Sequence, residues 1–281
     1  MDSRIVTADG TETFINEEYN EAYHSTKAGA YTESLHKFIK PTKILEKALK
    51  NKEIYILDVG FGLGYNVATA IKHVRDLSKD VSIHITSVEK DKDVFEKIRQ
   101  LNIPDSLKDA YEIILSGNIE GDIYSVKKEY LDLKVIFGEG RQILKKLSEE
   151  GIKFDAVFYD PFSPKVNTEM WTVNIFRIVK RLMKDDGILA TYSASLAVRK
   201  GLIEAGFRIG LVEPVGRKSY STVATVSGDI PPLTEKEKKR LESSPYAVPF
   251  YDNDDLTLKK EEIKSRWELK ISKNSNNINE K

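Results

Sequence analysis

The sequence contains no cysteine. That excludes disulfides, cysteine-ligated zinc, iron–sulfur clusters and thiol nucleophiles together. Its four histidines fall in no metal-ligand spacing, so no metal is expected. No run of about 18 apolar residues occurs, and no membrane span is expected. The opening MDSRIVTADG carries Asp2, Arg4 and Asp9 where a signal peptide would have an apolar core, so the expected location is cytoplasmic. Excess charge is missing as well. Lys+Arg and Asp+Glu are 44 each, leaving a net charge of zero. No overall field draws in nucleic acid, and any such binding needs a local basic face.

What is present suffices for a core: 40% of the 281 residues are hydrophobic, too many for a disordered chain. No internal repeat is visible. Asp9-Gly10 is a hairpin turn signal inside a loosely alternating stretch, residues 5–24. Leu35, Phe38 and Ile39, then Ile44, Leu45, Ala48 and Leu49, are spaced for two helices parted by Pro41.

From residue 54 strands and helices alternate. IYILDV (54–59), SIHITSV (82–88), LKVIF (133–137), FDAVFY (154–159) and GILATY (187–192) read as buried strands. Helices are expected near 66–77, 94–101, 141–149 and 195–205. Trp171, Ile175, Ile178 and Leu182 mark a further helical stripe, with Trp171 in the core beside a pocket. Residues 102–130 read as irregular and charged. Two last strands, 207–215 and 220–226, have no helix between them and should pair antiparallel. The expectation is an α/β fold with a seven-stranded, mostly parallel sheet, its last strand antiparallel and helices on both faces. It divides as an N-terminal hairpin and helical cap (1–50), a core (51–228) and a charged extension (229–281) that covers the core, frayed from 274.

The chemistry concentrates at strand ends. Asp58-Val59-Gly60-Phe61-Gly62-Leu63-Gly64 closes the first parallel strand and opens a helix; glycines there let backbone approach a ligand. Glu89 closes the next strand. It is either an acceptor for two ribose hydroxyls or a solvated charge. Gly138-Glu139 closes the third, where the acid either meets a base ring or stabilises a helix N-terminus. Asp160-Pro161-Phe162 closes the fourth, in the crevice where parallel sheets bind ligands. An acid at this point can accept hydrogen bonds from an amine nucleophile, stabilise the developing positive nitrogen or take its proton. Phe162 either stacks on substrate or is buried in the turn. His24 and Ser25 precede a loop able to close over the site.

These motifs resemble S-adenosylmethionine-dependent methyltransferases rather than nicotinamide enzymes: the spacing is G-x-G-x-G, and Tyr65 stands where G-x-G-x-x-G would have its last glycine. The Asp160 motif is similar to the Asp/Asn-Pro-Pro-aromatic motif of amino-methyltransferases. From about Tyr19 to about Val226 the chain resembles the methyltransferase half of the MnmC family, bifunctional enzymes of tRNA wobble-uridine modification. DVGFGLGYN (58–66), VEK (88–90), FGE (137–139), DPFSPKVNTEMWT (160–172), SASLAVRKGLIEAGF (193–207) and VGRK (215–218) carry the resemblance.

It implies a Rossmann-like class I methyltransferase fold, S-adenosyl-L-methionine as cofactor, and methylation of the primary amine of 5-aminomethyl-(2-thio)uridine in the tRNA anticodon loop. By motif position it implies cofactor contacts at Gly60, Gly62, Gly64, Glu89 and Glu139, with Asp160 the catalytic-site acid; Asp58, Phe61, Gly138, Asp160, His24 and Ser25 are further candidate cofactor contacts, and Phe162 a further catalytic candidate. A neutral tRNA binder needs a basic rim, for which Lys27, Lys165, Arg199, Lys200, Arg217 and Lys218 are the candidates by motif adjacency. A monomer is expected. The family's flavin-dependent oxidase domain has no counterpart before Lys281, so the oxidase step is expected to be absent and the aminomethyl substrate to come from another enzyme. Two alternatives stand beside this reading. An aminopropyltransferase would carry Asp-x-x-Asp-Pro, but position 157 is Val157. A non-catalytic RNA-binding module would not need the acids at the strand ends.

Overall fold

The structure, a computed structural model, describes residues 4–279, with side chains described as far as Asn274. The chain opens on a three-stranded antiparallel sheet, β1 (Arg4–Val6), β2 (Glu12–Asn16) and β3 (Glu21–Ala22). The Asp9-Gly10 turn joins the first two, with Gly10 at φ 81°. Next come α1 (Ala30–Ser34), a π-helical turn (Leu35–Ile39) and α2 (Ile44–Asn51). Pro41 lies in the break between them, as its missing N–H requires.

Alternation then sets in: β4 (Glu53–Val59), α3 (Tyr65–Leu77), β5 (Ser82–Glu89), α4 (Val94–Arg99), α5 (Lys108–Ile114), β6 (Asn118–Glu120), β7 (Ile123–Lys128), β8 (Leu131–Phe137), α6 (Gly140–Glu149), β9 (Phe154–Tyr159), α7 (Val173–Leu182), β10 (Met183–Thr191), α8 (Leu196–Glu204), β11 (Arg208–Val212) and β12 (Ser221–Thr225). The extension adds α9 (Glu235–Ser243) and α10 (Lys260–Asn279). A helical backbone therefore runs through the start of the stretch expected to fray, and residues 280–281 lie outside the described ones.

The large sheet has nine strands, in the order β11-β12-β10-β9-β4-β5-β8-β7-β6. Its five central strands, β10 to β8 in that order, are parallel, and β12 runs antiparallel to both β10 and β11. The expected seven strands are thus all present, and the count is corrected by two. The stretch read as irregular contains α5 and the antiparallel pair β6–β7, which extends the β8 edge. The pattern was hidden because β7, next to the sheet edge, is buried on one side only: Tyr124 and Val126 alone are buried along it, among Ser125, Lys127 and Lys128.

Both sheet faces are covered, which is why the central strands read as continuous apolar runs. Along β4, Ile54 and Ile56 join a core with Phe38, Ala48, Val67, Ile71 and Tyr111. Leu57 and Val59 join the opposite core with Leu144, Ile175, Phe176 and Val198. Leu241, Phe250, Leu256 and Ile263 of the extension are buried in this second core. No helix among the described residues is long and apolar enough to cross a membrane.

Candidate functional site

Chain direction reverses its spatial progress at β4: β5 and β8 lie on one side, β9 and β10 on the other. Such a switch point leaves a crevice beyond the strand C-termini. Here a cavity of about 900 Å³ opens at that point. Its floor is Gly60, Gly62, Glu89, Gly138, Glu139, Asp160 and Phe162; its other wall comes from the N-terminal segment, residues 16–37.

Gly60 and Asp160 follow adjacent strands, and the Asp160 N–H donates to the Val59 carbonyl at 2.9 Å. Gly60 has φ 93°, and a Cβ there would sit 2.7 Å from the Asp160 carbonyl oxygen. Only glycine fits both the conformation and the approach. The Gly62 N–H donates to Glu89 Oε2 at 2.8 Å, while Glu89 Oε1 accepts from the N–H groups of Lys90 and Asp91. Burial raises the Glu89 carboxyl above its ordinary value against the pull of those three donors. The acid is thereby aimed into the cavity with its loop.

Asp160 accepts from Asn66 Nδ2 at 2.8 Å, across from the first turn of α3. Burial raises its carboxyl well above the usual range, Glu33 and Asp58 add to the shift, and the Asn66 hydrogen bond opposes it. The loop after it is fastened residue by residue. The Pro161 carbonyl accepts from Tyr192 Oη at 2.9 Å, the Phe162 carbonyl from Trp171 Nε1 at 2.9 Å, and the Ser163 N–H and hydroxyl both donate to Glu21. Trp171 is in the core as expected and also steers this loop.

The opposite wall is built on side chains. Glu33 and Lys37, one turn apart, form a buried ion pair, and Glu33 also accepts the Ser25 N–H at 2.8 Å. Burial pushes the Glu33 carboxyl up, but the Lys37 ammonium beside it, together with the Ser25 N–H, holds it below its ordinary value. His24 is buried edge-on to Tyr65, its ring centroid 5.1 Å away, and its Nε2 has no hydrogen-bond partner among the described residues. Burial lowers its pKa to about 4, so the imidazole is neutral at ordinary pH. Asn66, Glu33, Lys37, Tyr192 and Glu21 escaped the sequence reading. Asn66 alone carried a signal, since it stands in the first turn after the glycine loop.

Several expected site residues sit elsewhere. Phe61 is 2% exposed, packs on Phe95 and is not among the cavity's walls, because the strand-to-helix turn points it into the core. Asp58 lies beneath the loop, where Ser87 donates to it, and burial raises its pKa to about 8. Gly64 caps α3 with a left-handed backbone outside the cavity walls. Glu139 does line the cavity, yet its carboxylate accepts from Gln142 N and Arg141 Nε, the helix-capping role.

The basic rim also divides. Lys27 and Arg217 line the cavity; Lys165, Lys200 and Lys218 do not. Arg199 corrects the expectation of a phosphate grip. It is 2% exposed, ion-paired with Glu237 and bonded to Thr222 Oγ1 and the Tyr220 carbonyl. Among the described residues, no group of acids and histidines could hold a metal ion.

These walls suit an adenosyl sulfonium. A glycine turn lines the crevice with backbone, an acid closes the second strand, and the volume of about 900 Å³ is that of a cofactor-sized site. Residues 104–227 match a family model described as an S-adenosyl-L-methionine-dependent methyltransferase. The solved structure of MnmC2 from Aquifex aeolicus is 39% identical, with a TM-score of 0.85 over 97% of this chain and 86% of that one. This chain belongs to the MnmC2 family. An uncharacterised protein of Methanocaldococcus jannaschii is 31% identical over 265 residues, 92% of this chain and 69% of that protein. The bifunctional MnmC protein of Cupriavidus necator, named for tRNA 5-methylaminomethyl-2-thiouridine biosynthesis, is 29% identical over 230 residues. This chain spans about a third of the length of that relative, the match covering 34% of it. As a member of the MnmC2 family the chain is an S-adenosylmethionine-dependent methyltransferase, and its fold is the class I Rossmann-like one.

Proposed function

We propose that the protein methylates the primary amine of 5-aminomethyl-(2-thio)uridine at the tRNA wobble position, giving 5-methylaminomethyl-(2-thio)uridine. The observation that carries the reading is Asp160 at the switch point, its backbone carbonyl against Gly60 and its carboxyl turned to the cavity side and held by Asn66. The cofactor supplies an electrophilic methyl on sulfur. An amine reaches it as a nucleophile only when neutral, and its nitrogen gains positive charge as the bond forms. A carboxyl raised by burial is suited to take a proton from an alkylammonium and then to face the developing cation. Gly60, Gly62, Glu89 and Gly138 would hold the adenosine part, and His24 and Ser25 border the same cavity. Lys27 and Arg217, which line it, would meet phosphates of the anticodon arm. In this reading residues 51–228 carry the chemistry, 1–50 close the cavity and 229–281 brace it, in a cytoplasmic enzyme.

The test is transfer of labelled methyl from S-adenosylmethionine to bulk tRNA lacking the modification, with nucleoside digestion and an Asp160→Ala variant in parallel. Label is expected in 5-methylaminomethyl-uridine and lost in the variant. Cofactor binding without label in tRNA would discard the substrate, and polyamines would be tried as acceptors.

A further inference from the structure

Two aromatic rings that line the cavity belong to neither core. Phe162 and Tyr19 are both half-buried, and both line the cavity. Their centroids lie 4.5 Å apart with the planes 26° from parallel, a stacked pair. Tyr23 leans on Phe162 from a second side at 5.3 Å and 58°.

The two stacked rings are held very differently. Phe162 sits in the fastened strand-end loop, between the bonds to Tyr192, Trp171 and Glu21. Tyr19 sits at the tip of the β2–β3 hairpin, residues 17–20, whose other three members are exposed. That tip is tied by the Tyr19 N–H to Asn16 Oδ1 at 3.0 Å, by an exposed Lys90–Glu18 ion pair and by Lys90 Nζ 5.6 Å from the Tyr19 ring centre. Exposed pairs of this kind contribute at most about 1 kcal/mol. One face of the stack stands in a loop bonded at three successive residues, and the other on a hairpin tip whose ion pair is exposed.

We propose that Tyr19 and Phe162 form a stacking slot for the target pyrimidine ring, entered as the hairpin tip lifts and Tyr19 closes over the base. The inference rests on the tRNA reading above and adds how the base is held. A base extruded from its stack loses its neighbours, and aromatic side chains replace them. Spacing is compatible with this. A ring sandwiched between the two needs their faces roughly 7 Å apart, a displacement of about one ring thickness for the tip. Phe162 and Asp160 line the same cavity, and a ring lying on Phe162 would present its 5-aminomethyl group toward the acid. Tyr19 is a positioning residue in this scheme, occupying the stacking place until the base arrives.

The experiment compares Tyr19→Ala, Tyr19→Phe and Tyr19→Trp with the wild type, measuring kcat and KM on undermodified tRNA and, separately, S-adenosylmethionine affinity by equilibrium dialysis. Stacking on one ring predicts a roughly 5- to 150-fold loss of kcat/KM in Tyr19→Ala. The Phe and Trp variants should keep most of the activity, and cofactor affinity should stay within about two-fold in all three. The retained cofactor affinity also shows that the variants fold. Unchanged tRNA kinetics in Tyr19→Ala would overturn the slot and leave the tRNA reading standing. A matching loss of cofactor affinity would overturn it too, making Tyr19 a cover for the cofactor. A wild type inactive on tRNA would remove the reading on which the slot rests.

Discussion

The two walls of the cavity are made in opposite ways. The strand-end wall is positioned by backbone: Gly60, Gly62, Gly138 and Asp160 stand where parallel strands stop, and the sheet register fixes them. The N-terminal wall is positioned by side chains meeting from separate segments, above all Glu33 with Lys37, His24 with Tyr65, and Glu21 with Ser163. A side-chain substitution in the first wall should therefore alter chemistry and leave folding alone. In the second it should cost stability.

The largest expected effect tests the first half of that contrast. Asp160→Asn keeps the shape and removes the charge. It should lower kcat by about 10²- to 10⁴-fold, with urea stability at neutral pH unchanged or higher because no carboxylate need be buried. A variant that melts as it loses activity would break the contrast. Next comes Glu33→Ala, which leaves the buried Lys37 ammonium without its partner. A loss of about 3–5 kcal/mol in urea unfolding is expected; a stable but inactive variant would move Glu33 to the chemical side.

His24 sharpens the comparison through pH. Its pKa is pushed from 6.5 to about 4 by burial. Below 6.5 the unfolded chain binds a proton that the folded chain resists, so this contribution to stability is present above 6.5 and lost as pH falls toward 4. His24→Phe should flatten the fall in unfolding free energy across that interval, by up to about 3 kcal/mol at its acid end. Equal slopes in variant and wild type would contradict the buried neutral imidazole. The smallest effect is expected from Asn66→Ala. The Asn66 hydrogen bond lowers the Asp160 pKa. Its removal should move the rising limb of the pH–rate profile to higher pH and reduce kcat at neutral pH by roughly ten-fold, the worth of one hydrogen bond to a charged group. An unshifted limb would detach Asn66 from the acid.

The same division explains what could be read from the residues alone. Asp58 to Gly64, Glu89, Gly138-Glu139 and Asp160-Pro161-Phe162 announced themselves because glycines and acids at strand ends have few other reasons to recur in that order. The finer placement within the motif was not legible: Phe61 and Gly64 alternate away from the cavity with the turn's own geometry, and Asp58 points under it. Arg199 and Arg217 look alike in sequence, each followed by lysine. One is swallowed by Glu237 from the extension. The other stays at the cavity, bonded to the Tyr192 carbonyl and Ser221. That choice depends on a helix some forty residues later. Tyr19, Glu33 and Lys37 carry no local signal, since what makes them site residues is the return of the cap over the sheet.

The expectation that the extension only covers the core understates one of its contacts. Arg141 holds Glu139 with Nε at 2.8 Å, while its Nη1 donates to Asp252 at 2.6 Å and to the Leu258 carbonyl at 3.0 Å. Occupancy at Glu139 and order in residues 252–258 are thereby joined in a single thermodynamic cycle. Linkage is reciprocal: whatever a ligand gains at Glu139 from a well-seated extension, the extension gains from the ligand. Amide exchange around Asp252 and Leu258 then becomes a remote meter of the cavity's occupancy, read from a part of the chain that does not touch it.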